Sequence, residues 1–253
     1  PLPAPVHSDI HCLSSADGEG LYFSTPTQLW SLDSDGNEKE GFPVRLADSC
    51  AGPLRVLKPG PFSERALLIP LRRGKISGFS PDGEPMPDWD PAVLDGSVTG
   101  FQLGVWEKKM RTLVSVDDSL LYVLDEKARP IAPAVTASSD FPMASQLTGS
   151  LPRFVACEDN GRIHIVHPDG RSFPLSFPGP LDDFLLWDHR DSLPARYVLL
   201  RKDKVEVFQY DQRRELESVA SFRLPEPATK VFAPRVHSSW LGFWCASSST
   251  LYL

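Results

Sequence analysis

The sequence predicts an all-β fold without helices, assembled from repeated antiparallel sheets, on three observations. A strand-and-turn signature recurs six times along the 253 residues, starting at Leu29, Ile76, Leu121, Ile163, Val205 and Leu251, with successive starts 42 to 47 residues apart. Turn-forming clusters follow the copies, among them Asp33-Ser34-Asp35-Gly36, Pro81-Asp82-Gly83 and Pro168-Asp169-Gly170, where Pro presets φ and Gly accepts the left-handed position. No window carries a sustained 3.6-residue apolar period, whereas Val205, Val207 and Gln209 alternate with Glu206 and Phe208 as a strand requires. Short strands repeating every 40 to 50 residues or so mark the blades of a β-propeller. The expected architecture is six blades of four antiparallel strands, with residues 1–253 as a single domain.

Each copy reads in the same order: an apolar run, a turn, the signature strand, a second turn and a Pro-containing segment. In the first, Leu21-Tyr22-Phe23 precedes Thr25-Pro26-Thr27, and Asp33 to Asn37 follows the strand. The second runs Ala66 to Pro70, then Arg72-Arg73-Gly74, then Pro81-Asp82-Gly83; the third runs Thr112 to Val116, then Asp117-Asp118-Ser119. In the fourth, Arg153 to Cys157 leads into Glu158-Asp159-Asn160-Gly161, and Asn-Gly predicts a two-residue hairpin because both residues tolerate positive φ. The fifth uses Tyr197 to Leu200, Lys202-Asp203 and Tyr210-Asp211-Gln212. The sixth, Leu241 to Cys245 and Ser247-Ser248-Ser249, stops as its third strand begins, and Pro1 to Val6 stand where an outer strand would sit. Pairing of the two terminal segments is therefore expected to close the ring and remove sheet edges. Without an initiator Met, the chain is expected to be a segment of something longer.

The 25 prolines concentrate between strands, which suits many short strands with rigid connections. A net charge of −7, with no basic stretch interleaved with aromatics, argues against nucleic acid as a partner. No run of 18 apolar residues exists to span a membrane. Cys12, Cys50, Cys157 and Cys245 are scattered, with no CxxC pair; buried free thiols are expected, and a Cys12–Cys50 disulfide is the alternative in an oxidising compartment.

Several stretches carry possible chemistry. Asp33-Ser34-Asp35-Gly36-Asn37 has alternating oxygen ligands around a Gly, as calcium loops do, but only two carboxylates and no downstream bidentate Glu; a structural turn is expected. Asp88-Trp89-Asp90 can stack a sugar, yet it falls where an outer strand should pack its apolar side. His164 and His167, three apart in a strand, point to opposite faces and form no metal pair. His189, beside Asp188 and Asp191, has no nucleophile motif to serve. Neither a resident metal nor a cofactor is expected. The residues expected to make loop contacts are Trp106, Asp182, Asp183, Trp187, His189 and Arg190.

Leu29 to Gly36, continuing to Gly41-Phe42-Pro43-Val44, resembles the strand, Asp-x-Asp-Gly, Gly-Phe-Pro segment of bacterial quinoprotein-like and FG-GAP-like propeller repeats; Ile163 to Pro174 is similar to a degenerate copy. The resemblance implies an extracytoplasmic propeller of the bacterial periplasm or cell surface. Tryptophan-docking motifs of quinoprotein enzymes are absent, since Trp30, Trp89, Trp106, Trp187, Trp240 and Trp244 share no register. The expected function is a non-catalytic interaction module, a subunit or accessory protein of an envelope or secreted multiprotein assembly. The alternative is a glycan-active or other enzyme with its site in the central channel, whose carboxylates would come from Asp9, Asp140, Asp182 and Asp183.

Overall fold

Strand follows strand without a helix in the computed structural model, which describes residues 5–6, 10–15, 18–57, 66–87, 89–137, 143–146, 153–158, 160–177, 179–187, 196–210, 216–232, 244–247 and 251–252. Among the described residues, six antiparallel sheets succeed one another along the chain. Sheet 1 is β1 (His11–Ser15), β2 (Gly18–Ser24), β3 (Gln28–Leu32) and β4 (Val44–Arg45); sheet 2 is β5 (Arg55–Leu57), β6 (Ala66–Pro70) and β7 (Ile76–Phe79). Sheet 3 is β8 (Val98–Trp106), β9 (Lys109–Val116), β10 (Leu120–Leu124) and β11 (Val135–Thr136). Sheet 4 is β12 (Met143–Gln146), β13 (Arg153–Cys157), β14 (Arg162–Val166) and β15 (Ser172–Ser176). Sheet 5 is β16 (Asp183–Trp187), β17 (Arg196–Arg201), β18 (Lys204–Tyr210) and β19 (Leu216–Arg223); sheet 6 is β20 (Lys230–Phe232), β21 (Trp244–Ala246) and β22 (Leu251–Tyr252). Each recurring signature forms the third strand of its sheet. The chain divides into two compact units, Pro1–Thr136 with sheets 1 to 3 and Ala137–Leu253 with sheets 4 to 6.

Sheets pack face to face within each unit. Tyr22 and Leu29 of sheet 1 meet Leu67, Ile69 and Phe79 of sheet 2, whose other face sends Leu68 and Ile76 against Met110, Val114 and Tyr122 of sheet 3. In the second unit, Ile163 and Ile165 meet Tyr197 and Leu199, while Val198, Val205 and Val207 meet Val231 and Cys245. Middle strands therefore bury both faces and read as continuous apolar runs: all five residues of Ala66–Pro70 are buried. Such burial gains about 25 cal/mol for each Å² of apolar surface removed from water.

One turn recurs after the second or third strand of several sheets. At Asp33, Leu71, Ser80, Asp125, Glu158 and His167, the residue's N–H donates to the carbonyl four residues on, and the N–H three residues on donates back to its carbonyl. The residue at that third position takes positive φ, as Gly36 (84°), Gly83 (86°), Gly161 (89°) and Gly170 (91°) do, with Ala128 (60°) the one non-glycine named. Asn160-Gly161 thus builds this longer turn rather than the expected two-residue hairpin. Paired positive φ falls instead at Glu107 and Lys108 (49° and 62°) and at Asp117 and Asp118 (47° and 50°).

Among the described residues, sheet 2 lacks the fourth strand that blades of four strands predict. Pro85, Pro87 and Pro91 lack the N–H a ladder needs, and the outer place is taken by an irregular segment tied on by Met86 N–H to Gly78 O (3.0 Å) and by the Trp89 indole Nε1–H to Ile76 O (2.7 Å). Trp89 packs on the sheet 2–sheet 3 core, the apolar reading of that stretch. Asp88 lies outside the described residues.

Candidate interaction site

The six residues expected at loop contacts are spread over both units. Trp106 closes β8 at the head of the turn to Lys109, and the Arg111 guanidinium lies 5.8 Å from its ring centroid while Arg111 Nη1 bonds Glu126 Oε2 at 3.0 Å. Trp187 ends β16 with its side chain outside the described residues, as are His189 and Arg190. Asp183 is buried and Asp182 exposed, and each accepts a backbone amide. The Asp182 carboxylate accepts the Lys202 amide of the β17–β18 turn, and Asp183, 4% exposed, accepts Val231 N–H of β20 at 2.8 Å. Asp183 is a strut between sheets 5 and 6, not a surface contact.

The same device recurs in sheets 2 and 3. Asp48 Oδ2 accepts Arg73 N–H at 2.9 Å, and Asp117 Oδ1 accepts Ser97 N–H at 2.8 Å, each tying the segment before a sheet's first strand to the turn between its second and third. Asp182 and Asp183, two of the four carboxylates of the enzymatic alternative, each accept a backbone amide; Asp9 and Asp140 lie outside the described residues. The Asp33 loop is likewise self-satisfied. Its Oδ1 accepts Asn37 and Asp35 N–H (2.8 and 2.9 Å), and the Asn37 amide bond leads the effects that hold the carboxyl below its ordinary value.

One buried polar pair was not foreseen. His164 Nε2 lies 2.6 Å from Glu158 Oε1, with both side chains more than nine-tenths buried, and Asn160 Nδ2 donates to Glu158 Oε2 at 2.9 Å. Burial pushes the Glu158 carboxyl up, but the hydrogen bonds from His164 and Asn160 and the nearby positive charges outweigh it and hold the group below its ordinary range. Ala156, directly opposite His164 in the ladder, leaves room for the ring. The hint in sequence was a small residue paired with a His beside an acidic turn.

Cys12, expected to be buried, is exposed; Cys50 and Cys245 are buried, and all three are free thiols. Burial, followed by the charge of Asp183, pushes the Cys245 thiol up. Cys50 Sγ donates to Gly52 O at 3.0 Å. Among the described residues no three His, Cys, Asp or Glu side chains gather as a metal site would require.

An open cleft of about 490 Å³ lies beside sheet 1, lined by Thr27, Gln28, Arg45 and the connector from Leu46 to Ser49. Gln28 and Arg45 stand opposite each other in the β3–β4 ladder. The connector is pinned to the β2–β3 turn by Leu46 N–H to Thr27 O (2.9 Å) and Cys50 N–H to Pro26 O (2.7 Å), and to the β6–β7 turn by Arg72 N–H to Ser49 O (3.0 Å).

No family model matches the chain, and no curated protein matches it. Solved structures do. The crystal structure of BBS1N in complex with ARL6DN, soaked with lead, matches with a TM-score of 0.68 at 13% identity, over 99% of this chain and 77% of that one. The mercury-soaked crystal of the same complex matches with a TM-score of 0.67 at 12% identity, over 98% of this chain and 90% of that one. The fold is a β-propeller. At such identity the likeness speaks for the fold alone.

Proposed function

We propose that this propeller is a non-catalytic protein-interaction module, a subunit or accessory protein of a multiprotein assembly, with six blades closed by its terminal segments. The observation that carries this reading is the likeness, along nearly the whole chain, to BBS1N, a propeller crystallised in complex with a protein, ARL6DN. Copy-to-copy divergence supports it: the framework of turns and struts repeats while the exposed side chains differ, which is how one scaffold presents one specific surface. The bacterial envelope setting rests on the resemblance of the Leu29–Val44 repeat to extracytoplasmic propellers. The test is purification of the native protein under mild conditions, with gel filtration and mass spectrometry, followed by reconstitution from purified components. A defined stoichiometric complex that re-forms is the expected outcome. A lone monomer that instead turns over a glycan substrate overturns the reading.

A further inference from the structure

Of the residues lining the cleft beside sheet 1, Arg45 and Asp48 carry charge. The β6–β7 turn, tied to the connector by Arg72 N–H to Ser49 O (3.0 Å) and Arg73 N–H to Asp48 Oδ2 (2.9 Å), brings the exposed Arg72, Arg73 and Lys75 beside them. Asp48 is already engaged: it accepts the Arg73 amide at 2.9 Å, and Arg73 Nε stands 4.0 Å away with its side chain 87% exposed. Asp95, on the next connector, adds one further acid where Leu94 N–H bonds Gly74 O. On a chain of net charge −7, this surface has the opposite sign. Arg45 and Gln28 share one face of the β3–β4 ladder, and neither side chain has a partner among the described residues. The backbone beneath them is held from both sides, so the cleft is ordered before a ligand arrives.

We propose that this cleft docks a short acidic segment of a protein partner, with the Arg45 guanidinium gripping one carboxylate through two N–H groups and Arg72 and Arg73 engaging others. The proposal rests on the interaction-module reading and names its surface. Charge complementarity selects the occupant. A short acidic peptide feels only the field within a Debye length of about 8 to 10 Å, where the cations dominate, whereas a nucleic acid would also meet the acidic remainder. Among the described residues, no aromatic lines the cleft to stack a base.

The test is fluorescence anisotropy with a fluorescein-labelled octapeptide of alternating glutamate and aspartate, with an oligo-dT strand and inorganic phosphate as separate arms. The peptide should bind saturably and weaken as salt rises from about 50 to about 300 mM. Affinity should fall at least about tenfold in the Arg45→Gln/Arg72→Gln/Arg73→Gln variant and stay unchanged in Arg223→Gln, exposed in sheet 5. All these side chains are exposed, so the variants should keep the wild-type melting temperature, and circular dichroism checks this. Absent peptide binding, equal binding by the triple variant, or binding of oligo-dT or phosphate as tight as that of the peptide each overturn the proposal. If the wild type ignores the peptide while the native assembly still re-forms, the docking site alone falls and the interaction reading stands.

Discussion

Glu158 and His164 are costly to leave unpaired, because both are buried and the His164 Nε2–Glu158 Oε1 bond is the one that pairs them. A carboxyl held below its ordinary value stabilises the folded state above the unfolded value of about 4.5, and that contribution is lost as pH falls through the folded value. Glu158→Gln keeps the shape and removes the charge. It should therefore cost about 1 to 3 kcal/mol at pH 7, and the gap to wild type should close as pH falls below about 4.5. Urea midpoints from pH 7 to pH 3.5 check this, and a pH-independent gap would refute the assignment. The pair was illegible in sequence because six residues and a hairpin separate its members. Only the register that sets Ala156 against His164 brings the ring to the carboxylate. His164 and His167 do not share a strand: β14 ends at Val166, and His167 heads the turn that follows, its Nδ1 2.8 Å from Asp169 Oδ1.

At the scale of the element, turns and struts decide what substitutions cost. A Cβ on Gly74 would stand 2.2 Å from Leu94 O, and one on Gly161 would stand 2.2 Å from Gly179 O, since in both sheets the outgoing connector lies against the turn glycine. Gly36 has the same positive φ and open space around it. Gly36→Ala should cost about 1 kcal/mol from backbone strain alone, whereas Gly74→Ala and Gly161→Ala should cost about 2 to 4 kcal/mol because the clash adds to the strain. Equal melting-temperature losses at all three positions would contradict the close approach. The glycines were legible as turn residues, but the connector that presses on two of them comes from about 18 to 20 residues further along and leaves no local mark. Asp183 makes the same point for carboxylates. Asp183→Ala should cost about 1 to 3 kcal/mol, since it strands the buried Val231 N–H, while Asp183→Asn keeps an acceptor and should cost less. Thermal melts of the two variants separate a strut from a surface contact, which would tolerate both.

Across the whole molecule, the six signature strands were legible because burial on both faces imposes apolar runs and turns impose Gly, Pro and Asp at fixed offsets. Sheet edges were not, because an edge depends on whether a partner strand can donate hydrogen bonds, and Pro85, Pro87 and Pro91 remove that capacity from the outer place of sheet 2. Edges also differ among themselves. β15 carries Pro174 at its centre, and β4 and β11 are two-residue stubs, all ways of blunting an exposed ladder. β19 is eight residues long, free of proline and exposed at Val219 and Phe222, with a ladder irregularity between Val207 and Phe208 of its neighbour as its protection. Stability within sheet 5 should therefore fall outward from β17, which is paired on both sides and buried from Tyr197 to Leu200, to β19, which is paired on one side only. Amide hydrogen exchange reads this gradient residue by residue. Val198 and Leu200 amides should exchange at least about a hundredfold more slowly than those of Glu217, Val219 and Ser221, because the outer strand can open without disturbing the core between sheets 5 and 6. Uniform protection across the four strands would instead mean that sheet 5 opens as one cooperative body, and the irregular ladder of β19 would then be a bend in a firmly held strand rather than a point where it lets go.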